Sequence, residues 1–243
     1  MEQPHRKGVQ RVRHELHIRD VTVSRIEALG DSFIRIRFRG DGLARFVSAS
    51  FDDHVKFIFA GDDGAQVRRD FTPLDHDADA REVSLEFALH GGGAASDWAR
   101  AAAVGQPAVI AGPRGSMIIP EDLDWYLLAG DRSALPAIRR RLAELPAGCR
   151  VLAVIAADGA DRMPPVSQAQ VEVCWIDSDA DLVAALRALP LPAGDGFAWF
   201  AGEAATARQV RSVLLEEKGI AKDAMRVSAY WKQGVADHHE HLD

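Results

Sequence analysis

The chain has 243 residues, 47 % hydrophobic and 27 % charged, a globular composition with length for one large domain or two of about 110–130 residues. A formal net charge of −7 argues against nucleic acid as the main partner, although it leaves room for a local basic pocket. No apolar run reaches the ~18 residues of a membrane span, Met1–Arg13 lacks the apolar segment of a secretory signal, and the two cysteines, Cys149 and Cys174, form no disulfide framework or zinc spacing. A cytoplasmic location with two buried thiols is the expectation.

The first half reads as short β-runs separated by turn residues: Leu16–Val23, Phe33–Phe38, His54–Phe59, Val83–Leu89 and Pro107–Ile110. In Phe33-Ile34-Arg35-Ile36-Arg37-Phe38 a period of two puts the arginines on one face and Ile34, Ile36 and Phe38 on the other. Closely spaced strands of this kind predict an antiparallel barrel or sandwich, with one short alanine-rich helix at Ala95–Ala103. From Trp125 the rhythm changes. Trp125–Ala129 is a strand ending at Gly130, after which Ser133 can cap a helix that stops at Pro146 and Gly148. Strands at Val151–Ile155, Val171–Ile176, Phe197–Ala201 and Met225–Tyr230 then alternate with helices at Asp179–Leu189 and Ala204–Glu217. That alternation means a parallel sheet with helical crossovers. The expected fold is therefore two-domain: an N-terminal antiparallel β-barrel over residues 1–120, and a C-terminal α/β parallel-sheet domain with a tail over 121–243.

Four segments carry chemistry. In Arg69-Asp70-Phe71-Thr72-Pro73, strand alternation puts Arg69 and Phe71 on one face. A flavin dinucleotide needs such a cation for its pyrophosphate and an aromatic face for its ring, yet an edge strand with a solvated arginine would look the same. In Leu89-His90-Gly91-Gly92-Gly93-Ala94-Ala95-Ser96, glycines precede a helix start, which lets backbone amides approach a phosphate. His90 and Ser96 add donors, and a plain turn with a helix cap is the alternative. Gly112-Pro113-Arg114-Gly115 reads first as a turn. Ala129-Gly130-Asp131-Arg132-Ser133 is a strand ending in glycine and opening a helix, where a dinucleotide phosphate can settle, although the Gly-x-Gly-x-x-Gly fingerprint is missing. Arg139-Arg140-Arg141 reads as a solvated helix face, with contact to a ribose 2′-phosphate as the alternative, and His238-His239-Glu240-His241 as a disordered, solvated tail with no metal site.

Taken in order, these segments resemble the siderophore-interacting protein family, flavin-dependent ferric-siderophore reductases of ferredoxin-reductase-like fold. The resemblance also covers Asp52-Asp53-His54-Val55-Lys56, Ala201-Gly202-Glu203 and Tyr230-Trp231-Lys232-x-Gly234. It implies that Arg69, Phe71 and Thr72 hold the flavin ring and phosphate, and that His90, Gly91, Ala95 and Ser96 hold the rest of FAD. It places Gly130, Asp131, Ser133 and Ala201, Gly202 and Glu203 along the entry of NADH or NADPH, with Trp231 either covering part of the flavin or serving as a plain core aromatic. Lys56, Arg114 and Lys232 become candidates for a basic pocket around a ferric siderophore. Phe71 stands where the family more often has tyrosine, Leu74 and Ala94 replace a usual arginine and proline, and Arg132 replaces a common glutamate. The implied activity passes electrons from NAD(P)H, or a ferredoxin, through FAD to iron(III). A general NAD(P)H-flavin or ferredoxin-type reductase and a non-enzymatic siderophore carrier are the competing readings.

Overall fold

The computed structural model describes residues 8–30, 32–61, 64–89, 93–235 and 240–242. Its contacts gather into two compact units, one made of Arg11–Met117 with Gly159–Met163, the other mainly of Ile118–Asp158 with Pro164–Asp243.

The first unit is built on β1 (Gln10–Arg13), β2 (Ile18–Leu29), β3 (Phe33–Arg39), β4 (Val55–Ala60), β5 (Gln66–Phe71), β6 (Asp75–Asp77), β7 (Glu82–Ala88), helix α1 (Ala94–Ala101), β8 (Pro107–Ala111) and β9 (Gly115–Ile118). Seven of the strands form one antiparallel sheet in the order β5-β4-β8-β2-β3-β7-β6, and β1 pairs with β9. Alternation decides which side is core: Val21 and Val23 of β2 are buried while Asp20 and Thr22 are exposed. Although β5 is an edge strand, its Phe71 ring lies 4.4 Å from that of Phe87, next to the opposite edge. The sheet therefore rolls up on itself and closes through side chains. Phe38, Phe57, Phe87 and Trp98 of α1 fill the roll, with Phe57 and Trp98 edge-on at 4.8 Å. Such aromatic pairs add about 0.5–1.5 kcal/mol each beyond area burial.

The second unit contains β10 (Trp125–Gly130), α2 (Leu135–Glu144), β11 (Arg150–Ala156), β12 (Gln170–Ile176), α3 (Asp179–Ala188), β13 (Gly196–Glu203), α4 (Ala204–Ser212), β14 (Met225–Trp231) and β15 (Glu240–His241). The sheet order is β12-β11-β10-β13-β14-β15, parallel throughout except for β15. Every residue of β10 is buried, as expected of a central strand covered on both faces. The order reverses direction between β10 and β13, which makes the carboxyl ends of those strands the topological switch point.

Three expectations are corrected. Cys149 is buried, but Cys174 is exposed, because β12 is an edge strand and alternate residues on it meet solvent. Arg140 and Arg141 do not form a solvated face. Arg140 bonds Glu144 at 2.7 Å, and Arg141 lies over the Tyr126 ring at 5.1 Å and donates to the Pro120 carbonyl at 3.1 Å. Burial lowers the Arg141 pKa, and burial is also the main reason that Tyr126 is pushed up to about 12. The tail is ordered at Glu240–His241, which extends the sheet alongside β14, and His241 Nδ1 lies 2.9 Å from Ser228 Oγ. His238 and His239 lie outside the described residues.

Candidate functional site

In the antiparallel unit the register puts Arg69 opposite Phe57 and Phe71 opposite Val55, so both side chains lie on the core face of β5. Phe71 packs against the aromatic core and remains half-buried. Arg69, also half-buried, donates to the Arg68 carbonyl at 2.7 Å and has no carboxylate partner among the described residues. Thr72, at the end of the strand, is buried. Ala94 and Ala95 of α1 pack on the same cluster, and Ser96 is buried one residue later. Gly93 precedes α1 with φ 144°, a conformation that L side chains rarely adopt. The result is a guanidinium without a carboxylate partner among the described residues, on the strand face that carries Phe71 into the cluster where Ala94 and Ala95 pack, which suits an aromatic ring system carrying phosphate. His90 and Gly91 fall outside the described residues.

Lys56 is on the other face of the same hairpin. It sits directly opposite Asp70, with Nζ 3.0 Å from Oδ2. Arg114 is exposed in the turn before β9, and its carbonyl accepts from His14 N at 2.9 Å. The neighbouring motif residue Asp53 is buried and accepts from Ser48 Oγ at 2.9 Å and Ser116 Oγ at 2.7 Å.

In the parallel unit the switch point is organised by Asp131, which is only 4 % exposed. Its Oδ1 accepts from Ser133 N at 2.8 Å and Ser133 Oγ at 2.5 Å. Its Oδ2 accepts from Glu203 N at 2.9 Å and Trp231 Nε1 at 2.8 Å. One carboxylate thus ties together the ends of β10, β13 and β14. The glycines beside it are obligatory for lack of space. A Cβ on Gly130 would sit 2.2 Å from the Ala201 carbonyl oxygen, and one on Gly202 would sit 2.7 Å from Asp131 Oδ2. Burial raises the Asp131 pKa against the opposing pull of its donors. Glu203 caps α4, accepting from Ala205 N at 2.5 Å and Thr206 N at 3.2 Å. Burial tends to raise its pKa, but the amides of Thr206, Ala205 and Gln233 outweigh that and leave it lowered. Trp231 remains 39 % exposed beyond its anchored indole nitrogen, and Lys232 follows in a tight turn closed by a bridge to Val235.

The sequence singled out Asp131, Ser133, Glu203 and Trp231 without their mutual bonds, and it missed two neighbours. Asp179 opens α3, and its pKa is raised by burial and then by the Asp131 charge. Asp158, just past β11, pairs with Arg132. The available signal was position: each lies just past the carboxyl end of a parallel strand.

Comparison with known proteins follows the same division. Residues 22–68 and 61–117 match the siderophore-interacting FAD-binding domain, and residues 123–234 match the siderophore-interacting protein model. The NADPH-dependent ferric-chelate reductase of Escherichia coli is 34 % identical, across 91 % of this chain and 96 % of that one. Ferric vibriobactin reductase ViuB of Vibrio cholerae is 27 % identical, across 84 % and 85 %. The crystal structure of a siderophore utilization protein from T. fusca superposes with a TM-score of 0.87 at 29 % identity, covering 96 % of this chain and all of that one (100 %). With both halves matched and a relative of this identity aligned over nearly its full length, the chain belongs to the siderophore-interacting protein family.

Proposed function

We propose that the chain is an FAD-dependent ferric-siderophore reductase that draws on NADH or NADPH, and that it works in the cytoplasm. The observation that carries this is Arg69, a half-buried cation without a carboxylate partner among the described residues, on the face that presents Phe71. A site of this kind fits FAD: Arg69 offsets phosphate charge, Phe71 offers its face to the ring, and Thr72 and Ser96 supply hydroxyls. When held there, FAD would supply two-electron uptake and one-electron release, the combination that iron(III) reduction requires. Iron leaves afterwards because hard, anionic oxygen ligands hold the less charged iron(II) more weakly.

On this reading residues 1–120 are the flavin-binding domain and 121–243 the nucleotide-binding domain. Gly130, Asp131, Ser133, Ala201, Gly202, Glu203 and Trp231 shape the donor site, where the obligatory glycines keep the strand ends low. Lys56, Arg114 and Lys232 serve the anionic chelate, with the Lys56 charge tempered by Asp70 until substrate arrives. A ferredoxin is the alternative donor.

The test separates cofactor from substrate. Purified protein should be yellow with the FAD spectrum. Arg69→Ala should weaken FAD retention by about ten-fold or more, the worth of a charge-assisted bond. Lys56→Ala should keep its FAD and slow the reduction of an anionic ferric chelate. Equal flavin loss in both variants would show that the two sites are wrongly divided, and a colourless chain that FAD cannot restore would end the proposal.

A further inference from the structure

In a doubly wound sheet, an incoming dinucleotide rests its diphosphate against amides at the helix starts beside the switch point. Here the chain's own carboxylates already engage amides at the ends of β10 and β13: Asp131 those of the three-residue 3-10 turn that leads into α2, and Glu203 those of α4 itself. After β10, Asp131 takes Ser133 N at 2.8 Å and Ser133 Oγ at 2.5 Å. The next amide, Ala134 N, donates to the Asp131 carbonyl at 3.0 Å, and Pro136 has no N–H to offer. After β13, Glu203 takes Ala205 N at 2.5 Å and Thr206 N at 3.2 Å, at the first turn of a nine-residue helix. Asp179 adds a third carboxylate close enough to feel the other two. Of the nearby cations, Arg132 is already paired with Asp158, and Arg208 offsets part of the Glu203 charge.

We infer that Asp131 and Glu203 determine donor specificity by filling the anion positions in the turn after β10 and at the start of α4, so that a nucleotide leading with its diphosphate is disfavoured. This rests on reading the switch point as the donor site. Its sign is unusual. Removing an ordinary binding residue weakens binding, whereas removing the Glu203 charge strengthens it.

The experiment titrates NADP+ calorimetrically into the FAD-loaded chain, which reads binding without turnover. Glu203→Gln keeps an acceptor for α4 but drops the charge, and should bind NADP+ about ten-fold more tightly at low salt. That gain should shrink as ionic strength rises through about 0.15 M. Glu203→Asp keeps both charge and capping ability and should stay within about two-fold of the parent. Unchanged or weaker binding by Glu203→Gln overturns the inference. If that variant does not fold, the parent decides. Repulsion by its own carboxylates predicts NADP+ binding that holds or tightens with added salt, and steep loosening overturns the idea. The indole N–H resonance of Trp231, assigned by its loss in Trp231→Phe, reports where the nucleotide goes. If saturating NADP+ leaves it unmoved, the donor-site reading itself fails. If it moves while Glu203→Gln gains nothing, only the inference fails.

Discussion

A carboxylate buried as deeply as Asp131 gives up hydration that four donors, from Ser133, Glu203 and Trp231, must replace. Desolvation still prevails, and the group holds its proton more readily than the ordinary value of 3.8. The native state therefore binds a proton that the unfolded chain releases. The stability gained this way is complete below 3.8 and is lost as pH rises through the raised native value. Asp131→Asn cannot replace the carboxylate, because in either orientation its amide nitrogen faces at least one N–H, from Ser133 or from Glu203 and Trp231, where an oxygen accepted it. It should lower stability at neutral pH by about 2–4 kcal/mol, read from the urea midpoint. It should also flatten the decline of stability with pH above about 4, since the titrating group is gone. A variant within about 0.5 kcal/mol of the parent would show that the strand ends hold without this tie.

Elements are held just as tightly where no polar group is involved. Gly196 begins β13 against the indole of Trp125, and a Cβ there would lie 2.0 Å from a ring carbon. Gly196→Ala should push Trp125 out of its place between β10 and the core, at a cost of about 2–4 kcal/mol, with a change in tryptophan fluorescence. Gly159→Ala meets nothing within 4 Å and should stay within about 0.5 kcal/mol of the parent, which makes it the control in the same urea series. The contrast shows how far the sequence could be read. Strand alternation in β3 and the strand–helix rhythm after Trp125 are local periodicities, and both give the correct elements, whereas the expected strand Leu16–Val23 stops six residues short of the end of β2 at Leu29. Whether Gly196 is a turn or a packing necessity depends on a partner 71 residues away, Trp125. The same non-local dependence hid the burial of Arg140 and Arg141, the exposure of Cys174 and the bond between Trp231 and Asp131. At the candidate site the residue types and their order were legible, because Arg69-x-Phe71 and Gly130-Asp131 are short local patterns. That Asp131 fills the turn after β10 and Glu203 the start of α4 was not, since it depends on how β10, β13 and β14 end beside one another.

For the whole molecule the remaining hazard is its sheet edges. A parallel sheet left open presents unpaired N–H and C=O groups that template association. On one side β15 answers this. Glu240 and His241 lie antiparallel to Ala229 and Ser228, Leu242 N donates to the Val227 carbonyl at 2.9 Å, and Arg211 Nε donates to the Leu242 carbonyl at 2.6 Å. Leu242 also packs against the core, so the covering strand is anchored by an apolar contact as well as by bonds. Among the described residues, the other edge strand, β12, has no such cover. It carries Glu172, paired with Arg150 at 3.0 Å, and charge on an edge discourages pairing. The β14 segment Val227–Ala229 offers no charge of its own. Ending the chain after Val235 should therefore bare an edge that carries no charge at Val227–Ala229. Light scattering across a concentration series should show the mass of the shortened chain climbing with concentration relative to the full one. Stability should fall by about 1–3 kcal/mol from the lost Leu242 contact and edge bonds. Replacing Val227 with lysine in the shortened chain should not restore order, because Val227 is buried. Restoring the strand in trans, as a peptide of residues 236–243, should bring the mass back down. If the shortened chain keeps the mass of the full one at every concentration, β15 is not what protects this edge.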